Sequence, residues 1–168
     1  LNMGCANLGV KNAGPDVFLN DHDILRVAKG ARAVVIEIMG AANLSNAFYK
    51  VHPRRNDRFI CAHKELYDRA PGLNLVDVHF TGHLLREIGS AANHVLPEVI
   101  TELQACWVER MQALIAAVEA PVHLVRFMPP GKGDQETGYV ETMMVTALAR
   151  NVASITRGAP SLEARANG

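Results

Sequence analysis

The most constraining feature of this chain is residues 33–39, AVVIEIM, an aliphatic and β-branched run that stops at Gly40 and opens into a polar stretch rich in Asn, Ser, Arg and His. Such a run predicts a strand buried in a parallel sheet, and open α/β sheets place their ligands at the carboxyl ends of such strands. A functional loop is therefore expected within residues 40–59.

The pattern on either side predicts alternation of strands and helices. Residues 1–8 read as a short strand, and Gly9, Asn12 and Gly14 supply the positive φ angles of a tight turn. Pro15 then opens a helix reaching to Gly30, with Val17, Phe18, Ile24, Leu25 and Ala28 at helical spacing. A second helix is expected over 56–69, ended by Pro71-Gly72, and a short strand over 75–80. The spacing of Val99, Ile100, Leu103, Cys106, Trp107, Met111, Leu114 and Ile115 predicts a long helix over 96–117, which Pro121 breaks. Residues 122–128 read as a strand, Pro129-Pro130-Gly131-Lys132-Gly133 as its exit loop, and 137–155 as a last helix. Strands alternating with helices imply right-handed crossovers and a three-layer α/β fold, a flavodoxin-like parallel sheet flanked by helices.

With 168 residues, 49% of them hydrophobic, the expectation is one domain over 1–157 and a flexible tail over 158–168. Seventeen basic residues balance seventeen acidic ones, so no overall field draws nucleic acid or an anionic membrane, and anion recognition has to be local. The three cysteines, Cys5, Cys61 and Cys106, are odd in number and far apart, which favours a reducing compartment and hence the cytoplasm. No apolar run approaches the roughly 20 residues of a membrane span. The chain begins with Leu1 inside a strand-like stretch, which points to a piece of a longer protein, an incomplete α/β fold.

Several groups carry chemistry. His52-Pro53-Arg54-Arg55-Asn56-Asp57-Arg58 gathers three guanidinium groups and an imidazole, and guanidinium forks bind carboxylate, sulfate or phosphate bidentately. The competing reading is a solvated charge run in which Asp57 pairs with an Arg and Asn56 caps the helix after it. His79 and His83, with Asp77 before them, have metal-like spacing but lack a third clear ligand, so neither a metal nor a cofactor is expected. Ser45 lacks the glycine-flanked elbow that exposes a nucleophile. His123, inside a strand, reads as a hydrogen-bonded core residue, and Cys5 as a small buried one.

Three strand-end loops can be taken together: Asn7-Leu8-Gly9-Val10 with Gly14, Glu37 to Asn43, and Phe127-Met128-Pro129-Pro130. In order and spacing they resemble the SGNH (GDSL-type) hydrolase family, and the Y-x-V-H-P-R-R-N-D-R-F segment over 49–59 is similar to one in uncharacterised bacterial proteins of that type. The resemblance implies ester hydrolysis or acyl transfer on a carbohydrate or small anionic compound. It assigns the oxyanion hole to Gly14 (or Asn12) and to Asn43 (or Asn46), and substrate contacts to Asn46, His52, Arg54, Arg55 and Arg58. It also implies that the family's central strand, between residues 1–8 and 33–39, is missing, so that these two strands close up and pair directly, with Val34 to Ile38 at the middle of the sheet. The family's G-D-S block is missing, Thr137 stands three residues after Asp134 where the family has His, and Leu44 takes the Asp place after Asn43. The implied hydrolase is thus inactive as this chain alone, and the alternative is a non-catalytic module that binds an anion or a sugar through residues 52–58. The partner in either case is a small-molecule or carbohydrate ligand, not nucleic acid or a membrane.

Overall fold

A computed structural model describes residues 4–127, 139–140 and 142–158. The longest element is α5, Leu96–Val118, and the rest of the core assembles on it. Its residues Val99, Leu103, Trp107, Met111, Leu114, Ile115 and Val118 are buried, a stripe at three- and four-residue steps as the sequence pattern predicts. Each such side chain contributes about 1.5–3 kcal/mol of transfer free energy. The helix ends at Glu119, whose left-handed φ of 58° turns the chain into β4, Val122–Phe127.

β4 is the centre of a three-stranded parallel sheet of order β1-β4-β5. β1 is Val34–Glu37, in register Val34 with Val122, and β5 is Ser154–Gly158, in register His123 with Ser154. The expected strand over 33–39 is therefore present, but Val34 to Ile38 lie at an edge of the described sheet rather than at its centre, and residues 4–8 do not pair with it. Val34 and Ile36 pack on the core, whereas Val35, on the other face, is 68% exposed and Glu37 is exposed. Phe127, on that second face of β4, is 46% exposed. The described fold is mixed α/β with helices against one face of the sheet, and the second helical layer expected from the alternation is not found among the described residues.

Five other expectations change. Residues 4–10 form no strand and are exposed; Asn7 turns its own side chain onto the Gly9 amide, and no described residue pairs with β1 on the side away from β4. The helix over 15–30 is two, α1 (Pro15–Leu19) and α2 (His22–Lys29), split where Asp21 leaves helical geometry and its carboxylate caps the amides of Asp23 and Ile24. The helix over 56–69 is mostly a strand. Pro53-Arg54 reverses the chain so that β2, Tyr49–His52, pairs antiparallel with β3, Arg55–Ala62, and only α3, Lys64–Arg69, is helical. Residues 75–80 make a turn and one bridge, Phe80 to Arg58, before a helix that the sequence reading lacked, α4, Thr81–Ala91. The last helix is only α6, Thr142–Ala147, and one 3-10 turn, Ala149–Asn151, after which Ser154, Ile155 and Thr156 extend to pair with β4. The Pro-Pro loop, Asp134, Thr137 and the tail from 159 onward lie outside the described residues.

The one tryptophan joins helix to sheet: buried Trp107 on α5 donates from Nε1 to the carbonyl of Met39, 2.8 Å away, just beyond β1. Trp107→Phe leaves that carbonyl without its donor and is expected to cost about 1–3 kcal/mol. Urea unfolding followed by circular dichroism measures this, and an unchanged midpoint contradicts the role given to the bond.

Candidate functional site

Beyond β1 the chain crosses the loop 40–48, in which Ala41 and Leu44 are fully buried, and enters the hairpin. Tyr49 and Val51 point into the core, and the Tyr49 hydroxyl donates to the Ala42 carbonyl at 2.8 Å. Burial pushes the Tyr49 hydroxyl far above the usual phenol range, so it stays protonated.

The hairpin is tied to its surroundings by amides rather than by charge. Asn56 on β3 is 1% exposed. Its Oδ1 accepts from the Gly14 amide at 3.0 Å, while its Nδ2 donates to the His52 carbonyl at 2.9 Å and the Pro53 carbonyl at 3.3 Å. Asn43 donates from Nδ2 to the Asn12 carbonyl (2.9 Å) and accepts the Thr81 hydroxyl on Oδ1 (2.6 Å). Asn12, at a left-handed φ of 57°, donates its side-chain amide to Asp57 at 3.3 Å. Three loops and the start of α4 meet here, so closely that a Cβ on Gly14 would sit 2.2 Å from the Asn43 carbonyl oxygen.

The residues assigned to the oxyanion hole, Gly14, Asn12 and Asn43, thus come together from positions about thirty residues apart. Their donors face protein acceptors: the Gly14 amide is held by Asn56 and the Asn43 amide by Asn12. Asn46 does not join them. It is 9% exposed and closes its own turn, donating to the Leu44 carbonyl and accepting the amides of Phe48 and Tyr49. Ser45 is likewise occupied, its hydroxyl accepting the Val51 amide. Sequence reasoning missed Asn56, Asp57 and Thr81 as members of this network, since Asn56 reads as a helix cap when 56–69 is taken for a helix.

Arg54, Arg55 and Arg58 are exposed, and none of their guanidinium groups makes an ion pair or hydrogen bond with a described residue. Asp57, the carboxylate between them, is drawn instead to Asn12. His52 is half-buried and accepts the Arg54 amide on Nδ1 at 3.2 Å, which holds the turn. Two clefts lie elsewhere, one of about 480 Å³ beside Gln112, Thr146 and Arg150 and one of about 350 Å³ between β3 and residues 73–76. Neither includes Gly14, Asn43, Arg54, Arg55 or Arg58 among its lining.

Other candidate chemistry is not assembled. No group of three potential metal ligands is found among the described residues, and His83 contacts Glu87 rather than His79. His123 Nδ1 lies 2.8 Å from Ser154 Oγ, a pair in register across β4 and β5 with Ser154 at the first residue of β5, as a hydrogen-bonded strand histidine would be. Cys106 is half-buried, and burial together with Glu102 pushes its thiol up to about 11, which removes it as a nucleophile at neutral pH. Cys5 is exposed, not buried as expected. No described helix is long and apolar enough to cross a membrane.

A family model for a domain of unknown function, DUF6473, matches residues 1–168. The chain belongs to that family. No curated protein and no solved structure matches it.

The packing at Gly14 is open to a direct check. Gly14 has an ordinary φ of −100°, so Gly14→Ala is opposed by contact and not by backbone strain, chiefly with the Asn43 carbonyl and also with Asn56 Oδ1 at 3.0 Å, and is expected to cost about 1–3 kcal/mol or more. Gly82→Ala, in α4 with open space around it, should instead stabilise by about 0.5–1 kcal/mol. Equal denaturation midpoints for the two variants would contradict the close approach.

Proposed function

We propose that this chain is a non-catalytic module that binds a small anion through Arg54, Arg55 and Arg58 on the β2–β3 hairpin. The observation that carries it is the imbalance of partners: the amides and the Asp57 carboxylate around the hairpin are spent on internal bonds, whereas the three guanidinium groups are exposed without a carboxylate partner among the described residues. A guanidinium presents parallel donors matched to a phosphate, sulfate or carboxylate, and the rigid turn at Pro53 limits the entropy lost on ligation. Such a site is open to solvent, so its affinity depends on ionic strength.

A second reading is favoured by the convergence of Gly14 with Asn43. In it the chain carries an SGNH-like hydrolase fold that acts on an ester or transfers an acyl group. This reading requires the Gly14 amide to leave Asn56 and a serine to arrive from outside the described residues.

Isothermal titration with inorganic phosphate or sulfate separates the two. On the anion-binding reading the wild type binds and Arg55→Ala binds about tenfold more weakly, the loss of one charge-assisted contact, with affinity falling as salt rises. Hydrolysis of p-nitrophenyl acetate should be the same for the wild type and Asn43→Ala. Indistinguishable isotherms for the wild type and Arg55→Ala would refute the anion site, and ester turnover lost in Asn43→Ala would establish the hydrolase instead.

A further inference from the structure

Beside Arg58 stands an aromatic ring with no ring partner among the described residues. Phe80 is 47% exposed and lies outside the hydrophobic core, and it makes no ring–ring or guanidinium–ring contact with a described residue. Its position is nonetheless fixed. The Phe80 carbonyl accepts the amides of His83 and Leu84 at the start of α4, and Thr81 next to it is buried and bonded to Asn43. Phe80 also forms an antiparallel bridge with Arg58. Residues directly opposite in such a pair hold their Cβ atoms about 4.5–5.5 Å apart on one face, so the ring and the guanidinium stem of Arg58 are neighbours. A large apolar ring held on fixed backbone next to Arg58, whose guanidinium has no partner among the described residues, is a surface for stacking a flat group whose charge Arg58 neutralises, with Arg54 and Arg55 on the same hairpin.

From this we infer that the ligand of the hairpin is a mononucleotide, its base stacked on Phe80 and its phosphate held by Arg58 with Arg54 and Arg55. The inference rests on the anion site proposed above and adds the class of molecule. A sugar is disfavoured by the side chains that remain: hydroxyls are read by planar amides and carboxylates, and Asn43, Asn46, Asn56 and Asp57 are already engaged within the protein. What is left unspent is a π-face and guanidinium groups, the two elements that nucleotide recognition combines. A long polynucleotide is disfavoured by the net charge of zero, which provides no basic track beyond the hairpin.

The test titrates the wild-type chain with adenosine monophosphate, ribose 5-phosphate, inorganic phosphate and a short single-stranded oligonucleotide. Adenosine monophosphate should bind about tenfold more tightly than ribose 5-phosphate, the usual scale of one base stacked on one aromatic ring. Phe80→Leu, which keeps apolar bulk without a π-face, should erase that difference. Phosphate and adenosine monophosphate binding equally, with no effect of Phe80→Leu, would overturn the nucleotide and leave the anion site standing. Binding of the oligonucleotide without the mononucleotide would overturn the assignment in favour of a single strand. Absence of any binding would overturn both the inference and the anion site. The comparison between ligands on the wild type stands even if the variant does not fold.

Discussion

The approach of Gly14 to the Asn43 carbonyl is the constraint on which this surface depends. Two loops can pass that closely only where no Cβ intervenes, and the amide left bare by the contact has to find an acceptor or cost about 1–3 kcal/mol. Asn56 supplies it from inside the hairpin, and with its other end it holds the His52 and Pro53 carbonyls that form the turn. One buried amide therefore sets both the packing of residues 9–14 and the shape of the segment that displays the arginines. Thr81 and Asn43 extend the same network to the start of α4, which places Phe80. The hairpin is rigid because its polar groups are satisfied, and its cations face solvent because those bonds leave them no carboxylate.

The sheet beneath is small and one-sided. Parallel strands are ordinarily covered on both faces, yet Val35 and Phe127 stay open while Val34, Ile36, Val122 and Leu124 pack toward α5. The load of the core falls on α5 and on the loop residues Ala41 and Leu44, both fully buried, so the polar loop after β1 is as much a structural element as the strand that leads into it. This explains why so many groups that resemble catalytic ones, Asn43, Asn46 and Ser45 among them, are turned inward to hold backbone amides and carbonyls.

Elements with strong periodicity were legible in the sequence. The stripe of α5 and the aliphatic runs of β1 and β4 are present near their expected bounds, because apolar spacing directly reports the face that is buried. The hairpin was not legible. In residues 56–67, Phe59, Ile60, Ala62, His63, Leu66 and Tyr67 fall at helical steps, but Pro53-Arg54 folds the chain back on Tyr49–His52 and tertiary pairing overrides the local pattern. The same holds at the end of the chain, where β5 follows a helix of only six residues because β4 offers it an edge. At the site, the pairing of Gly14 with Asn43 was given by the resemblance alone, and residues 4–10, read as the strand before Gly14, form none. The use of Asn56 to close it was not legible, since nothing in an Asn-Asp step between arginines tells a buried strand amide from a helix cap.

The claim that the hairpin is a ligand surface is most directly tested by amide chemical shifts of the isotopically labelled chain during titration with phosphate. The account predicts that the shifts concentrate at residues 52–58 and at Phe80, saturate together, and leave Gln112, Arg150 and the strand edge at Val35 unmoved. Shifts spread evenly over exposed lysines and arginines, or centred on the cleft beside Arg150, would contradict it.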